Sequence, residues 1–269
     1  MAKKPEEFKK QMEDNFKVAP SEHSHIKKVI GIVSGKGGVG KSLVTGLSAV
    51  AMSKRGYKTA IMDADITGPS IPKMFGIGKC NYADETGMLP ASTEGGMKVM
   101  SLNMLMDNET DPVIWRGPVI AGIVKQFWSD VNWGDVDFMF VDMPPGTGDV
   151  PLTVFQSLPV DGIIIVSTPQ ELVEMIVEKA INMANMMNIP VLGIVENMSY
   201  MNCPHCNEPI YVFGKSGIES YAASKGLDIL GRIPLNSEIA SLCDAGKAED
   251  IEDEYLDSLV YVLEEMVKE

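Results

Sequence analysis

A doubly wound α/β domain built on a mainly parallel sheet is the fold this sequence predicts, and three observations predict it. Short runs at 29–34, 138–142 and 191–196 are apolar at successive positions rather than alternating, the pattern of strands covered on both faces. Amphipathic helical patterns separate these runs, so strand and helix alternate as in βαβ units. Between the first run and the first helix stands a glycine-rich segment of the form G-x-x-x-x-G-K-[ST], the phosphate-loop pattern in the context it requires.

The 269 residues are 45% hydrophobic and 22% charged, which supports one large globular domain with a well-buried core. A net charge of −14 argues against nucleic acid as a direct partner, because such a surface repels a polyanion. No run is apolar and long enough to span a bilayer, and the first ten residues lack the apolar segment of a secretory signal. The four cysteines are too few for a disulfide framework in a chain of this length. Reduced thiols and a cytoplasmic protein are therefore expected.

Residues 1–27 form a polar leader, in which Phe8, Met12 and Phe16 recur four apart and predict a short helix lying on the body. His23 and His25 flank Ser24 there, as a solvated tail or as a metal pair. Residues 28–269 read as one domain, with predicted strands at 29–34, Thr59–Asp63, 138–142, Gly162–Ser167, 191–196 and Ile229–Ile233. Helices are predicted at Lys41–Lys54, with Leu43, Leu47, Val50 and Ala51 on one stripe, and at 170–187.

Gly35, Lys36, Gly37, Gly38, Val39, Gly40, Lys41 and Ser42 make up the phosphate loop. Its glycines let the backbone aim successive N–H groups at phosphate oxygens, and the following helix adds a partial positive charge. Lys41 is placed to neutralise the β- and γ-phosphates and the Ser42 hydroxyl to ligate Mg²⁺. Lys36 is an addition that an ordinary phosphate loop does not need; it is either a solvated loop lysine or a charge that reaches phosphate across a dimer interface. The strand Thr59–Asp63 runs into Asp63-Ala64-Asp65, at the strand edge where α/β folds bind ligands. One of these carboxylates can position the attacking water, and both can equally be turn formers. Asp142 closes the strand at 138–142, the place of a carboxylate that holds Mg²⁺. Pro144 and Pro145 stiffen the exit, and Gly146 and Gly148 leave an amide free for the γ-phosphate.

Cys203 and Cys206 form a C-x-x-C turn in a loop at 198–213 that follows the strand at 191–196; such a turn can hold one metal with both sulfurs, but two cysteines are half of a usual zinc or iron–sulfur ligand set. Three outcomes follow. Two copies of the chain bring two pairs together; His205 and a distant residue complete a zinc site; or the pair is a metal-free dithiol. Cys80 and Cys243 are isolated in the sequence, and the nineteen methionines read as core fillers within a chain of this composition.

The lysine in GKGGVGKS resembles the deviant phosphate loop of the MinD, ParA, ArsA and nitrogenase-iron-protein group of dimerising ATPases. That resemblance implies that Lys36 reaches the partner's nucleotide and that Asp65, rather than Asp63, orients the water. The ordered set GKGGVGKS, DADITGPSIP, VDMPPGTGD, STPQ, ENMSY and CPHC is similar, over about residues 29–235, to the Mrp/ApbC-type iron–sulfur cluster carrier ATPases. It implies a homodimer with slow, Mg²⁺-dependent ATP hydrolysis, a [4Fe–4S] cluster held between subunits by Cys203 and Cys206, and transfer of that cluster from a donor to apo-proteins. It also implies that Asn197 lies near the adenine and that a second, N-terminal cluster is absent, because the leader has no cysteine. Three other readings are a MinD/ParA-like positioning ATPase, an electron-transfer ATPase like the nitrogenase iron protein, and a zinc-binding phosphate-loop scaffold. Membrane positioning calls for a basic amphipathic end, whereas the stripe Tyr255, Leu256, Leu259, Val260 and Leu263 within 251–269 is set among acidic residues. The electron-transfer proteins use widely separated cysteines, unlike this adjacent pair.

Overall fold

The computed structural model describes residues 17–65, 70–79, 83–85, 87–106, 117–146, 148–169 and 173–268. The helix expected over Phe8, Met12 and Phe16 lies outside the described residues, as do Cys80, 66–69 of the first acidic segment, Thr147 and 170–172 of a predicted helix. In chain order the elements are β1 (Ser24–Val33), α1 (Lys41–Lys54), β2 (Thr59–Asp63), α2 (Ile71–Met74), β3 (Ala83–Asp84), β4 (Gly87–Met88), β5 (Ala91–Ser92) and β6 (Lys98–Met100). There follow α3 (Gly117–Ser129), β7 (Gly134–Asp142), α4 (Asp149–Ser157), β8 (Gly162–Ser167), α5 (Val173–Met186) and β9 (Val191–Asn197). The chain closes with β10 (Met201–Asn202), β11 (Pro209–Ile210), α6 (Ile218–Ser224), β12 (Ile229–Ile233), α7 (Ser237–Asp244) and α8 (Asp257–Lys268).

Eight strands form one sheet in the order β12-β9-β8-β1-β7-β2-β6-β5, parallel throughout except for the β5–β6 edge pair. Successive residues of each central strand point to opposite faces, and both faces are buried. Val29, Met139, Val141 and Ile163 face one core, shared with Val124 and Trp128 of α3 and Ala180 of α5. Ile30, Ile32, Phe140 and Ile164 face the other, shared with Val44 and Leu47 of α1 and Leu259 and Leu263 of α8. This is the doubly wound architecture the sequence predicts.

Three differences are physical in origin. First, β1 begins at Ser24, inside the segment read as leader, where the Ser24 hydroxyl donates to the Val131 carbonyl at 3.1 Å and accepts the Trp133 N–H at 2.9 Å. Upstream, the Val18 N–H donates to the Ser157 carbonyl at 3.0 Å, so this stretch is part of the body. Second, α1 is buried on every side from Val44 to Met52, because helices cover its outer surface as well, and its single predicted stripe is correspondingly widened. Third, the C-terminal helix starts at Asp257, after two short 3₁₀ turns, and sets Leu259, Val260 and Leu263 into its own domain. No helix among the described residues is long and apolar enough to cross a membrane.

Candidate functional site

β1 delivers the chain to the carboxyl edge of the sheet, next to the ends of β7 and β8, the edge where parallel α/β sheets bind ligands. The Ser34 hydroxyl donates to the Lys36 carbonyl at 3.0 Å and folds the loop back on itself. Gly38 and Gly40 both take φ +79°, the left-handed region. At Gly40 the requirement is double, since a Cβ would lie 2.1 Å from the Asn197 amide nitrogen. No side chain caps α1, so its N-terminus remains available to an anion. Beside it lies a cleft of about 680 Å³, with Gly37, Lys41 and Ser42 on one wall and Leu235, Ile239 and Cys243 on the other. That volume is of the size of a small-molecule site.

Asp142, fully buried at the end of β7, gathers the polar groups of this cleft. Its Oδ1 lies 2.7 Å from Lys41 Nζ, and its Oδ2 accepts the Ser42 hydroxyl at 2.6 Å. Lys41 Nζ also lies 3.4 Å from Asp65 Oδ2. Thr45, one turn along α1 and fully buried, has its hydroxyl 2.8 Å from Asp142 Oδ1 and 3.0 Å from the Lys41 carbonyl. Sequence reasoning did not find Thr45, whose partner is 97 residues away. The predicted residues Lys41, Ser42, Asp65 and Asp142 are thus brought together. Lys36 is half-buried at the head of the loop.

Asp63 pairs in register with Asp142 across the β2–β7 ladder. It accepts from the Ser101 hydroxyl at 3.0 Å and the Asp65 N–H at 3.1 Å. Burial and the neighbouring Asp142 charge hold its carboxyl well above the ordinary range, against the opposing pull of Lys41 and Ser101. The folded state then holds this proton more tightly than the unfolded state does. Without nucleotide or metal, stability should therefore fall as pH rises from the ordinary carboxylate range toward the raised folded value. An Asp63→Asn variant is expected to melt higher than wild type, with a gap wider near about pH 8 than near about pH 5. A gap that stays constant between these pH values contradicts the raised carboxyl.

The segment that follows Asp142 departs from expectation at one atom. Gly146, at φ +92°, turns its N–H back to the Ser34 carbonyl at 2.9 Å, so in this arrangement the amide is engaged rather than free for phosphate. Asn197, which the family resemblance places near adenine, is buried and donates through Nδ2 to the Val39 carbonyl at 2.9 Å. Here it braces the phosphate loop from β9.

Cys203 and Cys206 sit at the tip of the β10–β11 hairpin, the first half-buried and the second exposed. The Cys203 N–H donates to the Glu208 carbonyl and the Asn207 N–H to the Cys203 carbonyl, each at 2.9 Å, and Asn207 closes the turn at φ +60°. The backbone N–H groups of His205 and Cys206, with the Cys206 side chain, hold the Cys203 thiol below its usual range. Such N–H···S bonds favour the thiolate, the form that binds metal. Cys243 lies across the molecule's nucleotide cleft rather than beside this pair, and burial with the Asp244 charge pushes its thiol up. Among the described residues no three His, Cys, Asp or Glu side chains gather into a metal site, so the hairpin offers two thiolates and needs further ligands from elsewhere. Glu196, which the sequence reading passed over, is buried beneath the hairpin and accepts the Ser199 hydroxyl at 2.5 Å.

Residues 25–267 match the family described as ParA: NUBPL iron-transfer P-loop NTPase. An iron-sulfur cluster carrier protein of Clostridium perfringens is 47% identical over 237 residues, 85% of this chain and 83% of that protein. The cytosolic Fe-S cluster assembly factor CFD1 of Kluyveromyces lactis is 41% identical over 254 residues, 91% of this chain and 90% of that protein. Among solved structures, a nucleotide-binding protein of Archaeoglobus fulgidus in complex with ADP superposes with a TM-score of 0.78 at 43% identity, covering 86% of this chain and 91% of that one.

Proposed function

The chain belongs to the ParA family of NUBPL iron-transfer P-loop NTPases, and from that premise we propose that it is a Mg²⁺-dependent ATPase that carries a [4Fe–4S] cluster between two copies of itself and passes it to apo-proteins. One observation carries this reading: a set of phosphate-loop groups gathered on Asp142 and a separate cysteine pair on a surface hairpin, its Cys203 thiol held low by N–H···S bonds, lie on one domain.

The phosphate loop from Gly35 to Gly40 cradles the phosphates with its backbone, including the Val39 amide, and Lys41 leaves its carboxylate partners to meet their charge. Ser42 Oγ and Asp142 Oδ2, two hard oxygens 2.6 Å apart, form a donor set that fits Mg²⁺. When bound, Mg²⁺ neutralises charge on the β- and γ-phosphate oxygens. Asp65, 3.4 Å from Lys41 Nζ, orients the attacking water. Gly146 exchanges the Ser34 carbonyl for phosphate, and Asn197 holds the loop that surrounds the nucleotide. Lys36 reaches the partner's nucleotide, which makes a lone chain an incomplete and therefore slow hydrolase.

The cluster is cargo. Cys203 and Cys206 of each copy supply the thiolates, and a site on an exposed hairpin is accessible to an acceptor thiolate, as ligand exchange requires. The cytoplasm is the proposed location. A zinc scaffold is the second reading, favoured by the same N–H···S turn. A membrane-positioning role is disfavoured, because α8 buries its apolar face in its own domain. The test is anaerobic mixing of cluster-loaded protein with the apo form of a [4Fe–4S] dehydratase. Regained dehydratase activity with matching loss of iron from the carrier is expected. Retention of all iron, or a protein that takes up zinc but no sulfide, overturns the proposal.

A further inference from the structure

Glu196, in the apolar strand β9, is only 2% exposed, and its two carboxylate oxygens are treated differently. Oε2 accepts the Ser199 hydroxyl at 2.5 Å and stands 3.6 Å from Arg232 Nε, whereas Oε1 has no hydrogen-bond partner. A buried polar atom of this kind is costly to leave unmet and calls for a donor. Glu196 lines a cleft of about 510 Å³, the size of a small-molecule site. One wall of the cleft is the cysteine hairpin, through Asn202 and Pro209. The chain leaves that wall through the exposed apolar run Ile210, Tyr211, Val212 and Phe213, of which Tyr211 lines the cleft.

Charge in the cleft is balanced, and its poles are close together. Glu196 and Glu219 are opposed by Arg232, whose Nη2 lies 2.9 Å from Glu219 Oε2, and by Lys215, whose ammonium stands 5.7 Å from the Tyr211 ring centroid. A lone cation entering beside Glu196 meets Arg232, and a lone anion meets both carboxylates. A ligand that carries both signs a few ångströms apart avoids each penalty. Its ammonium donates to Glu196 Oε1, and its carboxylate lies against Lys215 and the Arg232 fork. The α-amino-acid group has that form. Its side chain is then left to lie along the hairpin, where Cys203 follows Asn202 by one residue. We infer that this cleft binds a small thiol with an α-amino-acid end, L-cysteine being the simplest, and sets its sulfur beside the cysteine pair. Binding needs no iron. Its purpose, an external thiolate that competes for iron as the cargo leaves, rests on the cluster-carrier reading.

The test is calorimetric titration of L-cysteine into the full chain, iron-free, anaerobic and kept reduced by a phosphine. Saturable binding with a Kd of about 1 mM or tighter is expected. L-Serine should bind comparably, because the amino-acid group carries the recognition. Cysteamine lacks the carboxylate and 3-mercaptopropionate lacks the ammonium, and each should bind about 10-fold more weakly. Glu196→Gln removes the charge that meets the ammonium and should weaken L-cysteine about 10-fold. Lys215→Ala, at an exposed side chain, should weaken it about 3-fold with melting temperature and ATP affinity unchanged. No saturable binding up to about 20 mM, equal binding of cysteamine, or an affinity unchanged in both variants overturns the proposal. On cluster-loaded protein, L-cysteine should speed iron release to a chelator more in wild type than in Lys215→Ala, and L-serine should not. Equal release with either amino acid overturns the role of the sulfur. A chain that binds L-cysteine but never takes up iron and sulfide keeps the cleft and sinks the cluster reading. One that loads and delivers a cluster yet ignores L-cysteine does the reverse.

Discussion

Cys203→Ala and Cys206→Ala, made singly, are each expected to abolish stable binding of a [4Fe–4S] cluster. Each substitution removes two of the four thiolates from a twofold-symmetric site, because both copies carry it. Two remaining thiolates leave half the iron ligands unfilled. The side chains are at the tip of a short hairpin and outside both cores, so the change in fold stability should stay within about 0.5 kcal/mol. Loss of iron therefore reports on ligation and not on unfolding. The measurement is iron, acid-labile sulfide and visible absorbance after anaerobic reconstitution, with melting temperature as the control. A cluster that survives in both variants places the site elsewhere in the chain.

Lys41→Ala is expected to lower ATP turnover by about 10³-fold or more, since Lys41 is the charge that meets the β- and γ-phosphates in the transition state. The same substitution carries a structural cost. Lys41 is nearly buried and is the cation shared by Asp142 and Asp65, with Asp63 close behind. Its removal leaves a cluster of carboxylates without their ammonium, and breaking such a buried pair costs about 3 kcal/mol. The variant should thus melt lower than wild type when empty and also fail to hydrolyse ATP under conditions where it is fully folded. Undiminished turnover refutes the assignment of the phosphate site. Arginine is no conservative substitute, because its planar fork does not fit a site shaped around a compact ammonium.

The strands Thr59–Asp63 and Gly162–Ser167 were legible to the residue, because burial on both faces writes a continuous apolar run into the sequence. The first half of β1 was not. Exposed His25 and Lys27 alternate with Ser24, Ile26 and Lys28 where one face meets solvent, and the buried Ser24 looks like a loop residue until its partners near Trp133 are known. β6, at three residues, is too short to carry a period, and α3 opens on Gly117-Pro118, poor helix formers that disguise the start of its stripe Ile120, Val124, Phe127 and Trp128. The phosphate loop was readable because its chemistry is local: eight consecutive residues build it. Thr45, Ser101 and Cys243 were hidden for the opposite reason. Each acts through a neighbour far along the chain, and only the sheet brings Ser101 to Asp63 or α7 to the mouth of the nucleotide cleft. At Asn197, a buried polar residue closing an apolar strand is itself a sequence signal that it has an internal partner; the partner proved to be the Val39 carbonyl. The apolar run at 210–213 was visible as letters, but its exposure is a property of the turn at Gly214.

The expected loss of the cluster in both cysteine variants depends on two half-sites becoming one site. Native mass spectrometry of the anaerobically reconstituted protein addresses that claim most directly, because it weighs chains and cluster in the same particle. The predicted result is a dimer that carries one [4Fe–4S] cluster, about two irons per chain, alongside monomers that carry none. A monomer that holds a whole cluster, or a dimer that holds one cluster in each chain, would contradict it.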